Sequence, residues 1–532
     1  MISVAKTATA PLQRWVVVFF VCCFGLCGLW FARAQNIWID ESTQLSGVRL
    51  SVPDMVAWLA GANPDRFGVP GDRMPPLGYL IDHFWWSMVG PAEFPFRAFH
   101  CGIAALGVAV VARSERIALG RHWTGAGLLF LVLSPKLIEL AGELRCYPLF
   151  FATAAAVLSM FLDIVRRPGP LAWGKLIAFG IACLLLSYVH FFGVVASFAY
   201  FVTLLTAFAS DRISRVRIVV IGGILATCLL GLAPFVFGAA SVSPSGTTTT
   251  ATDVIRYFPL LIGHPATIVF PIGAALFVSG FTTLCVLAGW GALWRARQRI
   301  VAPADWLILV VIVGCCATVL PAFVVSSFNT IKPSYSIWLL PVIALIIASG
   351  ASRPFCAARW ERFARFFALG LVLSGAAIST GVFVAKAEWF VHGPQRAIMV
   401  ASAQSAEPRA IVYVEPDTYA YGYFPMVYST GGLVQQWVAS AVSLRRLPVQ
   451  NGVETRESLR DLARYRSLVV VDIHLRRYTD LSDCLNSRCP AFPEATMVTA
   501  LVASGRWIVV SSKREFGFYD TVITKLAARP AP

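Results

Sequence analysis

Charge is scarce in this 532-residue chain: 14% of residues are Asp, Glu, Lys or Arg, with 28 acids against 44 bases. A soluble protein carries about 25% charged residues, so a surface solvated by water all round is excluded. The last ~140 residues have no Gly-rich phosphate loop and no nucleophile-elbow pattern, so no chemistry is assigned to them. Eleven of the 13 cysteines are scattered through or beside apolar segments without metal-ligand spacing, and Cys22, Cys23 and Cys27 read as packing inside the first of these. What abounds is apolar: 57% hydrophobic residues and a mean hydropathy of +0.70. The composition is that of a polytopic membrane protein.

Apolar runs recur over the first 390 residues, whereas the last ~140 have ordinary mixed composition. Lys6, Arg14, an apolar stretch and then Ala32-Arg33-Ala34 resemble a secretory signal. The stretch exceeds the ~7–15 residues of a signal core and more spans follow, so it reads as an uncleaved first span from a cytoplasmic N-terminus. Further candidate spans lie near 94–112, 123–141, 147–165, 172–189, 192–209, 216–238, 266–292, 304–325, 335–350 and 366–386, about eleven in all. On that count the inside loops hold Arg113, Arg116 and Arg121; Arg166, Arg167 and Lys175; Arg212, Arg215 and Arg217; Arg295, Arg297 and Arg299; and Arg353, Arg359, Arg362 and Arg365. Outer loops after residue 130 hold only Lys136, Arg145, Arg256 and Lys332. This alternation follows the positive-inside rule and accounts for much of the net charge of +16 without nucleic acid.

The fold class expected is a mainly α membrane protein with a small C-terminal α/β domain. A membrane domain covers 1–386 and an extracytoplasmic domain 387–532. Its first outer loop, 35–93, is too long for a plain connector, and Met74 to Trp86, with Asp82 and His83 inside it, reads as a helix lying in the interface. Residues 410–414 and 467–472 read as buried strands, 456–465 as a helix, and 506–523 as a closing hairpin. The odd span count puts Cys484 and Cys489 on the oxidising side, where a disulfide between them is expected.

Asn36-Ile37-Trp38-Ile39-Asp40-Glu41-Ser42 follows directly on the first span. Alone, the acid pair reads as a span's polar end. Other outer ends, however, carry Glu143, Arg145 and Tyr147, then Tyr188 and His190, then Lys332 and Tyr335. Singly these read as snorkelling cations, belt aromatics and a packing histidine; together they place carboxylates, cations and a histidine on one face.

In order, Trp-x-Asp-Glu, Pro-Pro-Leu-x-Tyr at 75–79, Glu93-Phe94-Pro95-Phe96-Arg97, Glu-x-Arg-x-Tyr at 143–147, Tyr-x-His-Phe-Phe-Gly at 188–193 and Lys-Pro-x-Tyr at 332–335 resemble the GT-C superfamily of integral-membrane glycosyltransferases. The nearest branch is that of protein O-mannosyltransferases, aminoarabinose–lipid A transferases and rhizobial galacturonosyltransferases, and the resemblance covers roughly residues 15–350. It implies a bacterial inner-membrane enzyme with a polyprenyl-phosphate sugar donor. The acceptor, an envelope glycolipid such as lipid A or core oligosaccharide, another glycan or a protein, is met on the non-cytoplasmic face. Asp40 falls at the general base and Glu41 beside it. Arg145 and Lys332 suit the departing phosphate, with Tyr147, Tyr335 and Arg73 near it; His190, Tyr188, Glu143 and Asp72 are further candidates. A single carboxylate base predicts inversion. Two positions depart from the pattern: Met74 precedes Pro75-Pro76 where relatives often carry His or Lys, and Ser334 stands where they commonly carry Arg. No cofactor is expected; Mg²⁺ or Mn²⁺ on the acids stays open, with metal independence the expectation. Rival readings are a transporter or flippase of a lipid-linked precursor, which internal repeats and mid-membrane charges would favour, and a non-catalytic envelope assembly protein.

Overall fold

The computed structural model describes residues 11–62, 72, 74–90, 93–120, 123–166, 169–241, 271–298, 301–324, 333–352, 359–406, 409–413, 443–446, 462–476, 481, 484, 491, 496–517 and 519–530. Helix α1 (Pro11–Ala34) is followed in the first outer loop by α2 (Ile39–Val48), α3 (Val52–Leu59) and α4 (Pro76–Val89). Then come α5 (Glu93–Leu119), α6 (Ala126–Val132), α7 (Pro135–Ala141), α8 (Tyr147–Val165), α9 (Trp173–Val189), α10 (Phe192–Ala207), α11 (Arg212–Leu229) and α12 (Ala233–Ser241). Beyond these lie α13 (Pro271–Arg297), α14 (Trp306–Val324), α15 (Leu339–Ser352), α16 (Arg359–Ala385) and α17 (Gln395–Ala403).

Six described stretches are long and apolar enough to cross a membrane: Arg14–Ala34, Glu93–Leu119, Tyr147–Val165, Arg212–Gly238, Ile272–Arg297 and Arg359–Ala385. Trp173–Val189, Phe192–Ala207, Pro303–Thr318 and Leu339–Ser352 are shorter apolar helices. The stretch expected as one span over 123–141 is two seven-residue helices, α6 and α7. The break has a local cause: Pro135 has no N–H to continue α6, and the Ser134 hydroxyl instead accepts from Leu137 N–H at 3.3 Å to start α7. On α1, Trp15, Phe19, Leu26 and Trp30 are exposed, as a lipid-facing surface requires and a water-facing one rarely shows.

The core sits where α5 crosses α8 and where α15 packs against α6, α8 and α13. A Cβ on Gly107 would meet the Phe151 ring at 2.8 Å, so glycine sets how closely α5 and α8 approach. In the first outer loop α4 packs on α2, α3 and α9, with Tyr79 and Asp82 buried.

Near the C-terminus β1 (Arg409–Tyr413), β2 (Ser443–Arg446), β3 (Ser467–Leu475), α18 (Thr496–Ala503), β4 (Trp507–Glu515) and β5 (Tyr519–Ala528) build one sheet of order β2-β1-β3-β5-β4. Strand β1 runs parallel to β2 and β3, while β5 is antiparallel to both β3 and β4. Along β3, side chains alternate between two cores. Leu468 and Val470 pack with Leu501 of α18 and Trp507, whereas Val469, Val471 and Ile473 join the core continuous with the helices. The 506–523 hairpin forms and runs on to Ala528. The helix expected over 456–465 falls mostly outside the described residues, leaving one 3-10 turn at Leu462–Arg464.

Candidate active site

Asp40 and Glu41 occupy the first turn of α2, where carboxylates complement the helix dipole. Their surroundings differ. Glu41 is 1% exposed and receives both Arg97 terminal nitrogens, Nη1 on Oε1 at 3.0 Å and Nη2 on Oε2 at 3.1 Å. The Leu144 N–H adds a bond at 2.8 Å, and the Trp38 N–H one at 3.4 Å. Arg97 is shared with Glu93, one helical turn away at 2.7 Å, and with the Gly142 carbonyl at 2.8 Å. Glu41 thus pins α2 to α5 and to the loop before α8. Asp40 is half-buried, and among the described residues its carboxylate makes no hydrogen bond or ion pair.

Arg145 reaches Asp40 through the backbone: Nη1 donates to the Asp40 carbonyl at 3.0 Å and to Asp72 Oδ2 at 2.7 Å, and Nη2 to Asp72 Oδ1 at 3.4 Å. The Tyr79 hydroxyl also donates to Asp72. Against the cost of burial, Asp72 and Asp40 hold the Arg145 guanidinium charged, while burial and Asp72 push the Tyr79 phenol well up. The buried Nε of Arg145 has no partner.

Beside it stands an aromatic group. His190 stacks on Phe150 with ring centroids 4.7 Å apart and lies 5.9 Å from Tyr147 and 5.4 Å from Tyr335. Its Nδ1 accepts from Phe192 N–H at 3.2 Å, which leaves the proton on Nε2; that buried Nε2 is also unpartnered. Burial, then Arg145, lowers the His190 pKa to about 3, so the ring is neutral. Among the described residues the Tyr147 and Tyr335 hydroxyls and the Glu143 carboxyl make no hydrogen bond. Burial and the Glu41 carboxylate push Glu143 well above the usual carboxylate range. The chain therefore gathers buried donors without acceptors next to a carboxylate without a donor. A buried polar atom without a partner calls for an explanation, and a bound ligand or water is one.

The structure brings together Asp40, Asp72, Arg145, Tyr147, His190 and Tyr335, with Glu143 beside them. Tyr188 does not join: its hydroxyl donates to the Cys228 carbonyl on α11 at 3.2 Å. Two expected contributors, Arg73 and Lys332, lie outside the described residues. Arg145 is itself paired. Asp72 holds its terminal nitrogens, because a buried guanidinium needs a carboxylate, and only Nε stays open. Cys484 is disulfide-bonded, ten other described cysteines are free, and Cys489 lies outside the described residues.

Residues of a second buried network escaped the sequence reading. His100 Nδ1 faces the Glu143 carbonyl at 2.6 Å and Nε2 faces Asp82 Oδ1 at 2.9 Å, while Gln44 Nε2 donates to Asp82 Oδ2 at 2.9 Å. His100 thus bridges Asp82 and the Glu143 carbonyl and fixes the loop that bears Glu143 and Arg145. The signal was available: Glu93, Arg97 and His100 at helical spacing in an apolar run are side chains that a membrane tolerates only with partners.

Among the described residues no group of three or more His, Cys, Asp and Glu is placed to hold a metal ion. A cavity of about 800 Å³ lies between α17 and the β4–β5 hairpin, with Asn36 but not Asp40 in its lining. No protein-family model and no curated protein matches the chain. Among solved structures, ArnT from Cupriavidus metallidurans bound to undecaprenyl phosphate aligns at 13% identity and TM-score 0.49, over 96% of this chain and 98% of that one. Its apo state gives 14% and 0.49. The Archaeoglobus fulgidus oligosaccharyltransferase complex with Zn and sulfate aligns at 11% and 0.43, over 84% and 67%. At these TM-scores neither likeness carries weight for function.

Proposed function

We propose that the protein is a membrane glycosyltransferase that moves a sugar from a polyprenyl-phosphate donor to a hydroxyl of an envelope glycolipid, glycan or protein on the non-cytoplasmic face. The observation that carries this reading is the unpartnered Asp40 carboxylate one backbone bond from Arg145, whose buried Nε, like Nε2 of His190, lacks an acceptor. The ordered motifs that resemble GT-C enzymes give the same residues the same task.

In this reading Asp40 removes the proton from the acceptor hydroxyl, whose oxygen attacks the anomeric carbon as the bond to phosphate breaks. The leaving phosphate takes hydrogen bonds from Arg145 Nε, His190 Nε2 and the Tyr147 and Tyr335 hydroxyls, with Lys332 and Arg73 as further cations. Asp72 holds Arg145 in place. Glu41 is bonded to Arg97 and is not free to act as a nucleophile, so one carboxylate works and the anomeric configuration inverts. No step requires a metal. The chain crosses the membrane eleven times in this reading, with a cytoplasmic N-terminus and the 387–532 domain outside, where Cys484 pairs with Cys489.

Mass spectrometry of envelope glycolipids from cells with the wild-type chain, without it, and with Asp40→Asn tests the reading. A sugar present only with the wild type, at normal expression of the variant, is the expected result. Full modification by Asp40→Asn would overturn it.

A further inference from the structure

The buried cluster next to Asp40 is out of charge balance by itself. Glu41 and Glu93 share one guanidinium, that of Arg97, and all three side chains are at most 6% exposed. Two buried carboxylates with one cation are costly unless a second cation arrives. It comes from far along the chain: Arg396 Nη2 lies 3.3 Å from both Glu93 oxygens, 303 residues away in sequence.

The same residue is fastened to the entry of α2. Its Nη1 donates to the Arg33 carbonyl at 2.5 Å and its N–H to Asn36 Oδ1 at 3.3 Å, while Asn36 Nδ2 donates to the Gly393 carbonyl at 2.5 Å. Two residues before Asp40, the Trp38 ring stacks on His392 at 4.8 Å. Arg396 also opens α17, which packs on β1, β3 and β5.

We infer that Arg396 is a positioning residue: by neutralising the Glu93–Arg97–Glu41 cluster it lets the segment before the C-terminal sheet hold the Asp40 helix in its working place. This rests on Asp40 being the base. Arg396 is 41% exposed on its side chain and borders a cavity of about 410 Å³, so truncation leaves room for water and the fold intact.

The test uses the full chain. Arg396→Ala should lower kcat for sugar transfer about tenfold, as small misplacements of a reacting group do, with KM for the lipid-linked donor unchanged. Amide hydrogen exchange over 39–48 should quicken by a similar factor. Arg396→Lys should restore much of both. Glu93→Gln in the Arg396→Ala background should also restore them, because it removes the uncompensated charge, a rescue that lost packing does not predict. Unchanged exchange over 39–48, an unchanged kcat, or failure of both rescues would overturn the inference. Failure of the functional reading shows separately, as full transfer by Asp40→Asn.

Discussion

Glu41→Ala strands Arg97 in a buried site with one carboxylate in place of two and frees the Leu144 N–H, so it should cost roughly 3–5 kcal/mol. Asp40→Asn changes a half-buried group with no hydrogen bond and should stay within about 0.5 kcal/mol of wild type. Thermal unfolding of the two purified variants separates a structural acid from a working one, although the residues are adjacent. A large loss of stability in Asp40→Asn alone would reverse the assignment. His190 supplies a pH prediction. Its folded pKa is held near 3, against an ordinary value of 6.5, so between those values the unfolded chain binds a proton that the folded chain does not. Its contribution is therefore full above pH 6.5 and fades as pH falls toward 3. The variant His190→Gln lacks this dependence. Its stability, measured from pH 7 down to about 4, should fall less steeply than the wild type's, and parallel curves would count against a buried neutral ring.

At the level of elements, α2 keeps its place because Gly47 lets it lie against α3 and α4. A Cβ there would stand 2.6 Å from Tyr79 Cε1 and 2.9 Å from Trp58 Cη2. Gly47→Ala should therefore cost about 1–3 kcal/mol by overpacking and shift the Tyr79–Asp72–Arg145 chain away from Asp40, lowering transfer as well as stability. Gly102→Ala, on α5 with nothing within 4 Å of the added carbon, is the control; it should be neutral or gain up to about 1 kcal/mol of helix propensity. Equal losses in both would show that the close approach at Gly47 does not matter. How much was legible in sequence divides along the same line. Hydropathy marked most of the helices, and a short apolar run marked β3, because each is a local pattern. Asp40, Arg145 and His190 were legible as one-sided polar residues. The pairing of Glu41 with Arg97 was not, since the two lie 56 positions apart. Nor was the role of Arg396, whose partner Glu93 lies 303 positions away. Pairings across such distances are made by tertiary packing, and no local pattern encodes them.

For the whole molecule, orientation depends on the broken segment α6–α7. Among the described residues the six long stretches and four shorter apolar helices make an even number; if each crosses once, the C-terminal sheet returns to the side of the N-terminus. An odd count needs 126–141 to cross as well. Two bonds bear on this. Leu128 N–H donates to Glu115 Oε2 at 3.2 Å, tying the start of α6 to the far end of α5, and Arg97 donates to the Gly142 carbonyl at 2.8 Å, tying the residue after α7 to its beginning. Arg97 and Glu115 lie on one continuous helix, a separation of about 27 Å at 1.5 Å per residue, close to the ~30 Å of a hydrocarbon core. The α6–α7 pair therefore runs antiparallel to α5 over nearly a membrane's thickness, which favours the odd count. Alkaline phosphatase fused after residue 532 should then be active and a fluorescent protein there dark, while fusions after Gln298, next to Arg295 and Arg297 in the last turn of α13, should give the reverse. Thiol labelling of the unfolded, unreduced chain should leave Cys484 and Cys489 unmodified, because a disulfide persists only on the oxidising side. A bright fluorescent protein at residue 532 together with ready labelling of both cysteines would put the sheet inside, and Asp40 would no longer face acceptors of the outer envelope.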